Sequence, residues 1–333
     1  MKYAVNNKKI AFIPANGILL KQDFTLHKMG LYFKNINNIT IDLIYIKSET
    51  KIEKELEYFD NIKVLKSQDK ILDFLKINSY HLIFHRAWMH RYTFASVIAE
   101  NFSNSVIYIK DWFDEMPRNQ YKFFYKTDED YDAIKKIFNK NRYILSHYDK
   151  RYTNKLAKKY NVNKKKFIFF PEYCLESNFR EKDKISYIKP VKLLYASSFV
   201  NTCRPQELCE GLDEFLVMKK ITAQKVSVSF VTLPFTYERI FNKENEIYWT
   251  NYLYEHKFNK YFEIVKGKAL DSSIFEEYHF GIPGGLYFNK DGFACSNATQ
   301  AITSKISLYL ESGIPILVNK KWKTLAELVD KYK

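Results

Sequence analysis

Glycine is scarce in this chain, 9 residues of 333, against an average usage of about 7%. Neither a G-x-G-x-x-G fingerprint nor a G-x-x-x-x-G-K-[ST] loop occurs. Both motifs need glycine because the backbone must approach a phosphate closely. Typical NAD-dependent dehydrogenases and P-loop ATPases are therefore excluded. Cysteine is sparse as well. Cys174, Cys203, Cys209 and Cys295 stand without C-x-x-C spacing, which speaks against a disulfide framework or a zinc site. No apolar run approaches the ~20 residues of a membrane span. The first residues lack a signal peptide's apolar core and small-residue cleavage site. The expectation is a cytoplasmic chain.

What the chain does have is an ordinary globular balance, 46% hydrophobic and 27% charged, which excludes disorder and fibrous repeats. Basic residues outnumber acidic ones, 53 against 38, for a net charge of +15. Such a charge suits anionic partners: nucleic acid, anionic lipid or phosphorylated substrates. A second reading stands beside it. Lys, Asn, Ile, Phe and Tyr are all abundant and have AT-rich codons, so base composition alone would raise the charge.

Short apolar runs alternate with amphipathic stretches. Strands are expected at 9–15, 40–46, 62–65, 81–84, 105–109, 143–146 and 167–170, with helices at 68–75, 94–102, 130–139 and 152–160. After a polar, charged stretch the pattern resumes. Strands are expected at 191–196, 225–231, 261–265, 280–282 and 314–318, with helices at 205–218, 271–278, 303–311 and 324–332. Strand–helix alternation of this kind gives parallel sheets covered on both faces. The expected fold is α/β, with two Rossmann-like, doubly wound domains. They would span 1–172 and 191–333, joined by a linker at 173–190.

Ligands bind such sheets beyond the carboxyl ends of the strands. In the second half, Thr303 and Ser304 are good helix N-caps and Lys305 stands in the first turn. A cation is disfavoured at a helix N-terminus unless an anion such as phosphate sits there. The alternative is a solvated surface lysine beside a plain cap.

Lys305, Ser307, Tyr309, Leu310, Gly313, Pro315 and the apolar residues after them resemble the K-x-S-x-Y-L-x-x-G-x-P signature of GT-B glycosyltransferases. The bacterial glucosyl- and galactofuranosyltransferase-like branch is the nearest likeness. The order of the preceding elements agrees, with Lys266-Gly267 after one strand and Gly284-Gly285 after another. The resemblance implies a nucleotide-sugar donor held by the C-terminal domain, with Ser197, Ser198, Lys266, Gly267, Thr303, Ser304, Lys305 and Tyr309 around it. It implies no cofactor and no metal, since helix dipole and basic side chains neutralise the diphosphate. No D-x-D dyad follows a strand; Asp128 and Asp130 lie in a charged run that reads as a solvated face.

The sequence departs from the family in three ways. A glutamate that binds the donor ribose in many relatives is replaced by Leu308, leaving Tyr309 or Glu311 for that task. The first strand of the C-terminal domain ends in Ala196-Ser197-Ser198 instead of a glycine turn. The chain ends at Lys333, one helix after the signature, as a shortened or compact variant.

The N-terminal half would present the acceptor. Asn16 and Gly17 follow its first strand. The loop 85–91 packs His85, Arg86, Trp88 and His90 together, and Asp111 and Trp112 open another loop. His85, His90 or Asp111 would serve as general base. Asn16, Gly17, Arg86, Trp88 and Trp112 would hold the acceptor, the aromatics by stacking on sugar rings and the arginine by binding a phosphate. A packed loop with surface charges is the competing reading. His27 is a further candidate base.

The stretch 135–166 is dense in Lys and Arg with interleaved Tyr and Phe. It suits an anionic membrane surface, and it is equally a solvated face in a lysine-rich chain. The reading is thus a metal-independent glycosyltransferase for surface polysaccharide such as capsule or lipopolysaccharide. It would act on a glycan or lipid-linked acceptor, peripheral to the inner face of the membrane, with homo-oligomerisation open and no nucleic-acid partner. The alternative is a non-catalytic GT-B-like subunit that binds a partner transferase.

Overall fold

The computed structural model describes residues 8–14, 24–46, 59–87, 92–109, 128–170, 174, 179, 190–196, 205–220, 226–231, 243–265, 275, 277–283, 304–320 and 322–331. The chain divides into two compact units, Met1–Pro171 and Glu172–Lys333. Of the expected linker 173–190, only Cys174, Phe179 and Pro190 are described.

The described residues of the first unit include seven strands: β1 (Lys8–Ile13), β2 (Ile39–Ile46), β3 (Asn61–Leu65), β4 (Leu82–Ala87), β5 (Ser105–Ile109), β6 (Tyr143–Ser146) and β7 (Phe167–Phe169). They form one sheet in the order β3-β2-β1-β4-β5-β6-β7, and every neighbouring pair is parallel. Parallel strands covered on both faces need unbroken apolar runs. β1 and β2 supply them, with Ile10–Ile13 and Ile41–Ile46 all buried and all apolar apart from Asp42. Phe12 of β1 stacks on Phe84 of β4 at 5.0 Å and anchors the core.

The helices are α1 (Phe24–Lys34), α2 (Gln68–Ile77), α3 (Tyr92–Asn101), α4 (Asp128–Lys140) and α5 (Lys150–Lys159). α4 shows why such segments fold as helices. Asp128, Glu129 and Asp130 sit in its first turn, where the dipole favours them, and Ala133, Ile134, Ile137 and Phe138 form one buried face. Asp149 caps α5 by accepting from the Arg151 and Tyr152 amides.

Among the described residues the second unit has four parallel strands, β8 (Val191–Ala196), β9 (Val226–Val231), β10 (Phe262–Val265) and β11 (Phe280–Pro283), in the order β10-β9-β8-β11. Its helices are α6 (Gln206–Met218), α7 (Lys243–Glu255), α8 (Ser304–Glu311) and α9 (Lys323–Lys331).

The structure corrects the sequence reading in particular places. The strand expected at 81–84 continues to Ala87, so His85 and Arg86 belong to β4 and not to a loop. The strand expected at 314–318 is a single bridge between Gly281 and Ile316. The Gly281 amide donates to the Pro315 carbonyl and the Leu317 amide to the Gly281 carbonyl. The ladder stops there because Pro315 has no N–H and the Ile314 amide is turned back to Tyr309. α1 and α7 were not foreseen. α7 carries Trp249 and Leu253 inward but exposes Ile247, Tyr248 and Tyr254, which blurs its apolar stripe. The helix expected at 271–278 falls largely outside the described residues.

One arrangement recurs at the amino ends of both sheets. In the first unit the Lys9 amide donates to His81 Nδ1 at 3.0 Å. The His81 amide returns a bond to the Lys9 carbonyl at 2.8 Å. In the second, the Lys192 amide donates to His279 Nδ1 at 3.0 Å, and the His279 amide donates to the Lys192 carbonyl at 2.9 Å. A tyrosine precedes each histidine. Tyr80 donates its hydroxyl to Asp42 at 2.7 Å, and Tyr278 hydrogen-bonds Ser229. Asp42 and Ser229 hold the same register: they face Ala11 and Leu194, each two residues beyond the lysine. Each then reaches the next strand, Asp42 accepting from Asn61 at 2.8 Å and Ser229 donating to Glu263 at 2.8 Å.

Asp42 is buried, which alone would raise its carboxyl, but the Tyr80 hydroxyl, the Asn61 amide and the Lys9 ammonium at 3.0 Å outweigh burial and hold it below the ordinary value. The folded value lies below the unfolded one of about 3.9. Its stabilisation is therefore complete above about pH 4 and is lost as the pH falls through the folded value. Asp42→Ala should cost about 2–3 kcal/mol at pH 7, since buried donors lose their acceptor. Asp42→Asn should flatten the acid limb. Urea unfolding of both variants at neutral and acidic pH measures this; an unchanged acid limb would show that other carboxyls set it.

Candidate functional site

Both sheets place their first and fourth strands side by side: β1 against β4, and β8 against β11. The connections from such a pair leave toward opposite faces, so a crevice opens at the carboxyl ends.

In the first unit His85 pairs with Ile13 across that seam. Its Nδ1 lies 3.0 Å from the Ile13 carbonyl. A carbonyl can only accept, so Nδ1 carries the proton, and in the neutral ring Nε2 holds the lone pair. The ring stands edge-on to Phe94 of α3 at 5.3 Å and is 1% exposed. Arg86, 4% exposed, points to the opposite face, since successive strand residues alternate. The expected convergence of His85 and Arg86 in one loop is therefore replaced by two side chains on opposite sides of β4. Neither lies on an open loop, because the pairing of β4 with its neighbours continues through them, His85 with Ile13 and Ile107 and Arg86 with Tyr108.

In the second unit the signature residues fall on and after α8. Tyr309 is 0% exposed. Its hydroxyl accepts from the Ala196 amide at 3.1 Å and donates to the Ile282 carbonyl at 3.0 Å. Burial pushes this phenol up, despite its bond from Ala196, so it stays protonated and able to donate. The ring lies against Gly281, where an added Cβ would stand 2.7 Å from two ring carbons. Phe275 packs on the same ring, with centroids 5.3 Å apart. Direct contact between Tyr309 and a donor gives way to a different role, because both hydrogen-bonding capacities of the hydroxyl are spent on backbone. Glu311 is likewise 0% exposed, which removes it as a ribose ligand.

Gly313, at φ 68°, ends α8. Its amide donates to Leu310 and the Ile314 amide to Tyr309, the bond pattern of a Schellman cap, in which glycine carries no strain. Ser312 donates to the Leu308 carbonyl at 2.7 Å. Ser307 and Leu308 are buried. Much of the signature is thus architecture that fastens α8 to the sheet. Ser304 opens the helix and Lys305 lies in its first turn.

Asn16, Gly17, Trp88, His90, Asp111, Trp112, Ser197, Ser198, Lys266, Gly267 and Thr303 lie outside the described residues, as do the side chains of His27, Ser304 and Lys305. Among the described residues, no group of three or more His, Cys, Asp or Glu side chains is placed to hold a metal, and no helix is long and apolar enough to cross a membrane. Sequence reasoning missed Gly281 and the strand-entry histidines. The repeated Tyr-His pairs, Tyr80-His81 and Tyr278-His279, each before an apolar run, were the available signal.

No protein-family model matches the sequence, and no curated protein matches it. Solved structures do share its architecture. The N-terminal domain of trehalose-6-phosphate phosphatase from Candida albicans aligns at a TM-score of 0.60, with 10% identity over 99% of this chain and 90% of that one. Sucrose-phosphate synthase from Thermosynechococcus elongatus gives 0.59, with 11% identity over 93% and 80%. HepE from Anabaena, solved with UDP and glucose, gives 0.58, with 9% identity over 97% and 89%. The fold is the two-sheet α/β architecture of the GT-B glycosyltransferases.

Gly281→Ala should destabilise the second unit by about 1–3 kcal/mol, the usual cost of overpacking, because the fully buried Tyr309 ring would stand 2.7 Å from the new Cβ. Thermal unfolding measures this; an unshifted transition would show that the ring yields freely.

Proposed function

We propose that this chain is a metal-independent GT-B glycosyltransferase. It moves a sugar from a nucleoside-diphosphate sugar to a glycan or lipid-linked acceptor in surface polysaccharide assembly. The observation that carries the reading is the same first-against-fourth strand seam in two parallel sheets, each of which makes a ligand crevice at its carboxyl edge. HepE, of the same fold, was solved with UDP and glucose.

The second unit takes the donor. α8 is the crossover between β11 and the parallel segment at Ile316, so it starts at the carboxyl edge of the sheet. Thr303, Ser304 and Lys305 meet the diphosphate there, where amides and dipole favour an anion. Ser197 and Ser198, just after β8, and Lys266 and Gly267, just after β10, complete the pocket. The first unit takes the acceptor, through Asn16, Gly17, Trp88 and Trp112; Arg86, buried on the face of β4 opposite His85, does not meet it together with His85. The bond from the anomeric carbon to the diphosphate oxygen breaks, and an acceptor hydroxyl forms the new one. The hydroxyl proton passes to His85, His90 or Asp111. The Nδ1–H of His85 on the Ile13 carbonyl fixes the orientation of its ring. The diphosphate leaves with its charge balanced by Lys305 and the helix amides.

Lys305→Ala should weaken binding of the preferred nucleoside diphosphate by about 1.5–3 kcal/mol, the worth of a charge-assisted contact, without unfolding the chain. Calorimetry across a nucleoside diphosphate panel measures it. Equal affinity in the variant would remove the donor assignment. Alanine at His85, His90 and Asp111 in turn should lower kcat with donor affinity kept. Donor binding without turnover on any acceptor would favour a non-catalytic subunit that serves a partner transferase.

The first unit also docks on anionic membrane. Lys155, Lys158 and Lys159 share one face of α5, opposite the buried Tyr152, Thr153, Leu156 and Ala157, while Arg151 beside them is ion-paired with Asp149 at 2.6 Å. Lys164 and Lys165 extend the charge. Lys166 is not available, since it donates to the Phe138 and Asn139 carbonyls at 3.0 and 2.8 Å. Each basic residue near such a surface adds about 1 kcal/mol, screened by salt. Sedimentation with phosphatidylserine vesicles should show binding at low salt that is lost at high salt. Absence at low salt, or preference for an oligonucleotide, would contradict the membrane reading.

A further inference from the structure

We infer that the first unit meets an anionic bilayer with the amino edge of its sheet, through a basic and aromatic corner at the starts of β6 and β7. The inference rests on the membrane reading above and deepens it, because it names the end of the unit that touches lipid. The carboxyl edge, where the β1–β4 crevice opens, then faces away from the bilayer.

Parallel order fixes where each charge lies. The helix between two parallel strands returns from the carboxyl edge to the amino edge, so it ends where the next strand begins. α4 leads into β6, and α5 with the single turn Lys164–Lys166 leads into β7. Both helix ends and both strand starts therefore share one corner of the sheet. Lys140 closes α4, and Arg142 stands just before β6. Lys158 and Lys159 close α5, and Lys164 and Lys165 precede β7. All six are exposed. β6 and β7 pair directly, with Ile144 opposite Phe167. The Lys166 ammonium on the Phe138 and Asn139 carbonyls ties the turn to the end of α4.

A helix dipole favours cations at the end of the helix, which accounts for Lys166. It does not account for the missing counter-charge. From residue 133 to residue 171 the one carboxylate is Asp149. Asp149 caps the start of α5, at the opposite edge, and is paired there with Arg151. The acidic first turn of α4 lies at that opposite edge too. Glu100, near the end of α3, is taken by Lys136 at 3.5 Å. Base composition raises the number of lysines but does not sort them to one edge. Six cations at one corner repel each other, and an anionic surface relieves that repulsion.

Tyr143 and Ile168 supply the apolar part of the contact. Ile168 pairs with Leu145, so it faces the same side of the sheet as Tyr143. The two are 38% and 39% exposed. The Arg142 guanidinium lies over the Tyr143 ring, 5.2 Å from its centre. A tyrosine and an aliphatic side chain among cations suit the headgroup layer, where apolar surface and charge are both satisfied. A polynucleotide would use the cations and the ring but not Ile168.

The test is sedimentation with vesicles of equal parts phosphatidylserine and phosphatidylcholine at low salt. It compares wild type, the edge variant Arg142→Glu/Lys164→Glu and the flank variant Lys150→Glu/Lys155→Glu. Both variants change the net charge equally and differ only in where the charge lies. The edge variant should bind at least about tenfold more weakly, since each basic residue near the surface counts for about that much. The flank variant should lose less than about threefold, as screening removes charges held away from the surface. Ile168→Ser should weaken vesicle binding about threefold through lost apolar contact. Equal losses in the two charge variants, or the larger loss in the flank variant, overturn the inference, because the contact then runs along α5. Unchanged vesicle binding by Ile168→Ser overturns it as well, and so does tighter wild-type binding to a single-stranded oligonucleotide than to vesicles. Wild type that leaves the vesicles unbound removes the membrane reading itself. Should the edge variant not fold, Arg142→Gln/Lys164→Gln against Lys150→Gln/Lys155→Gln faces the same comparison.

Discussion

In each sheet the first and fourth strands must stay paired although the chain leaves them in opposite directions. Side chains stitch that seam at both ends. At the amino ends His81 and His279 take the amides of Lys9 and Lys192 on Nδ1 and return their own amides to the same residues. At the carboxyl ends the two units use different chemistry. His85 donates to the Ile13 carbonyl in the first unit, and Tyr309 bridges Ala196 and Ile282 in the second.

The shared amino-end arrangement reaches across three further positions. Tyr80 and Tyr278 touch Asp42 and Ser229 at the same register, and those touch Asn61 and Glu263 on the next strand. The first unit turns this into a buried charge, and the second into a chain of milder hydrogen bonds. The carboxyl ends diverge, with His85 on the Ile13 carbonyl in one unit and Tyr309 on Ala196 and Ile282 in the other.

The strands were largely legible because a parallel sheet covered on both faces demands apolar runs. The run 105–109 and the runs 143–146 and 191–196 begin and end where β5, β6 and β8 do. α1 and α7 escaped because aromatic residues sit on their exposed as well as their buried positions, Tyr32 and Tyr248 among them. The site was legible only in outline. The signature pointed to α8, but periodicity gave no hint that Tyr309 faces inward across a glycine twenty-eight positions earlier in the chain, a distance of about eight helical turns if it were helix. His85 and Arg86 looked like loop residues because polar side chains end an apolar run in the sequence, whereas the sheet continues through them.

A structure of the protein with the nucleoside diphosphate it binds tests the central claim most directly. The diphosphate should lie at the carboxyl ends of β8 and β11, against the first turn of α8 and within hydrogen-bonding distance of Ser197 or Ser198 and Lys305, with Tyr309 still bridging Ala196 and Ile282 beneath it. A nucleotide seated at the amino ends of the strands, or on the first unit, would contradict that claim.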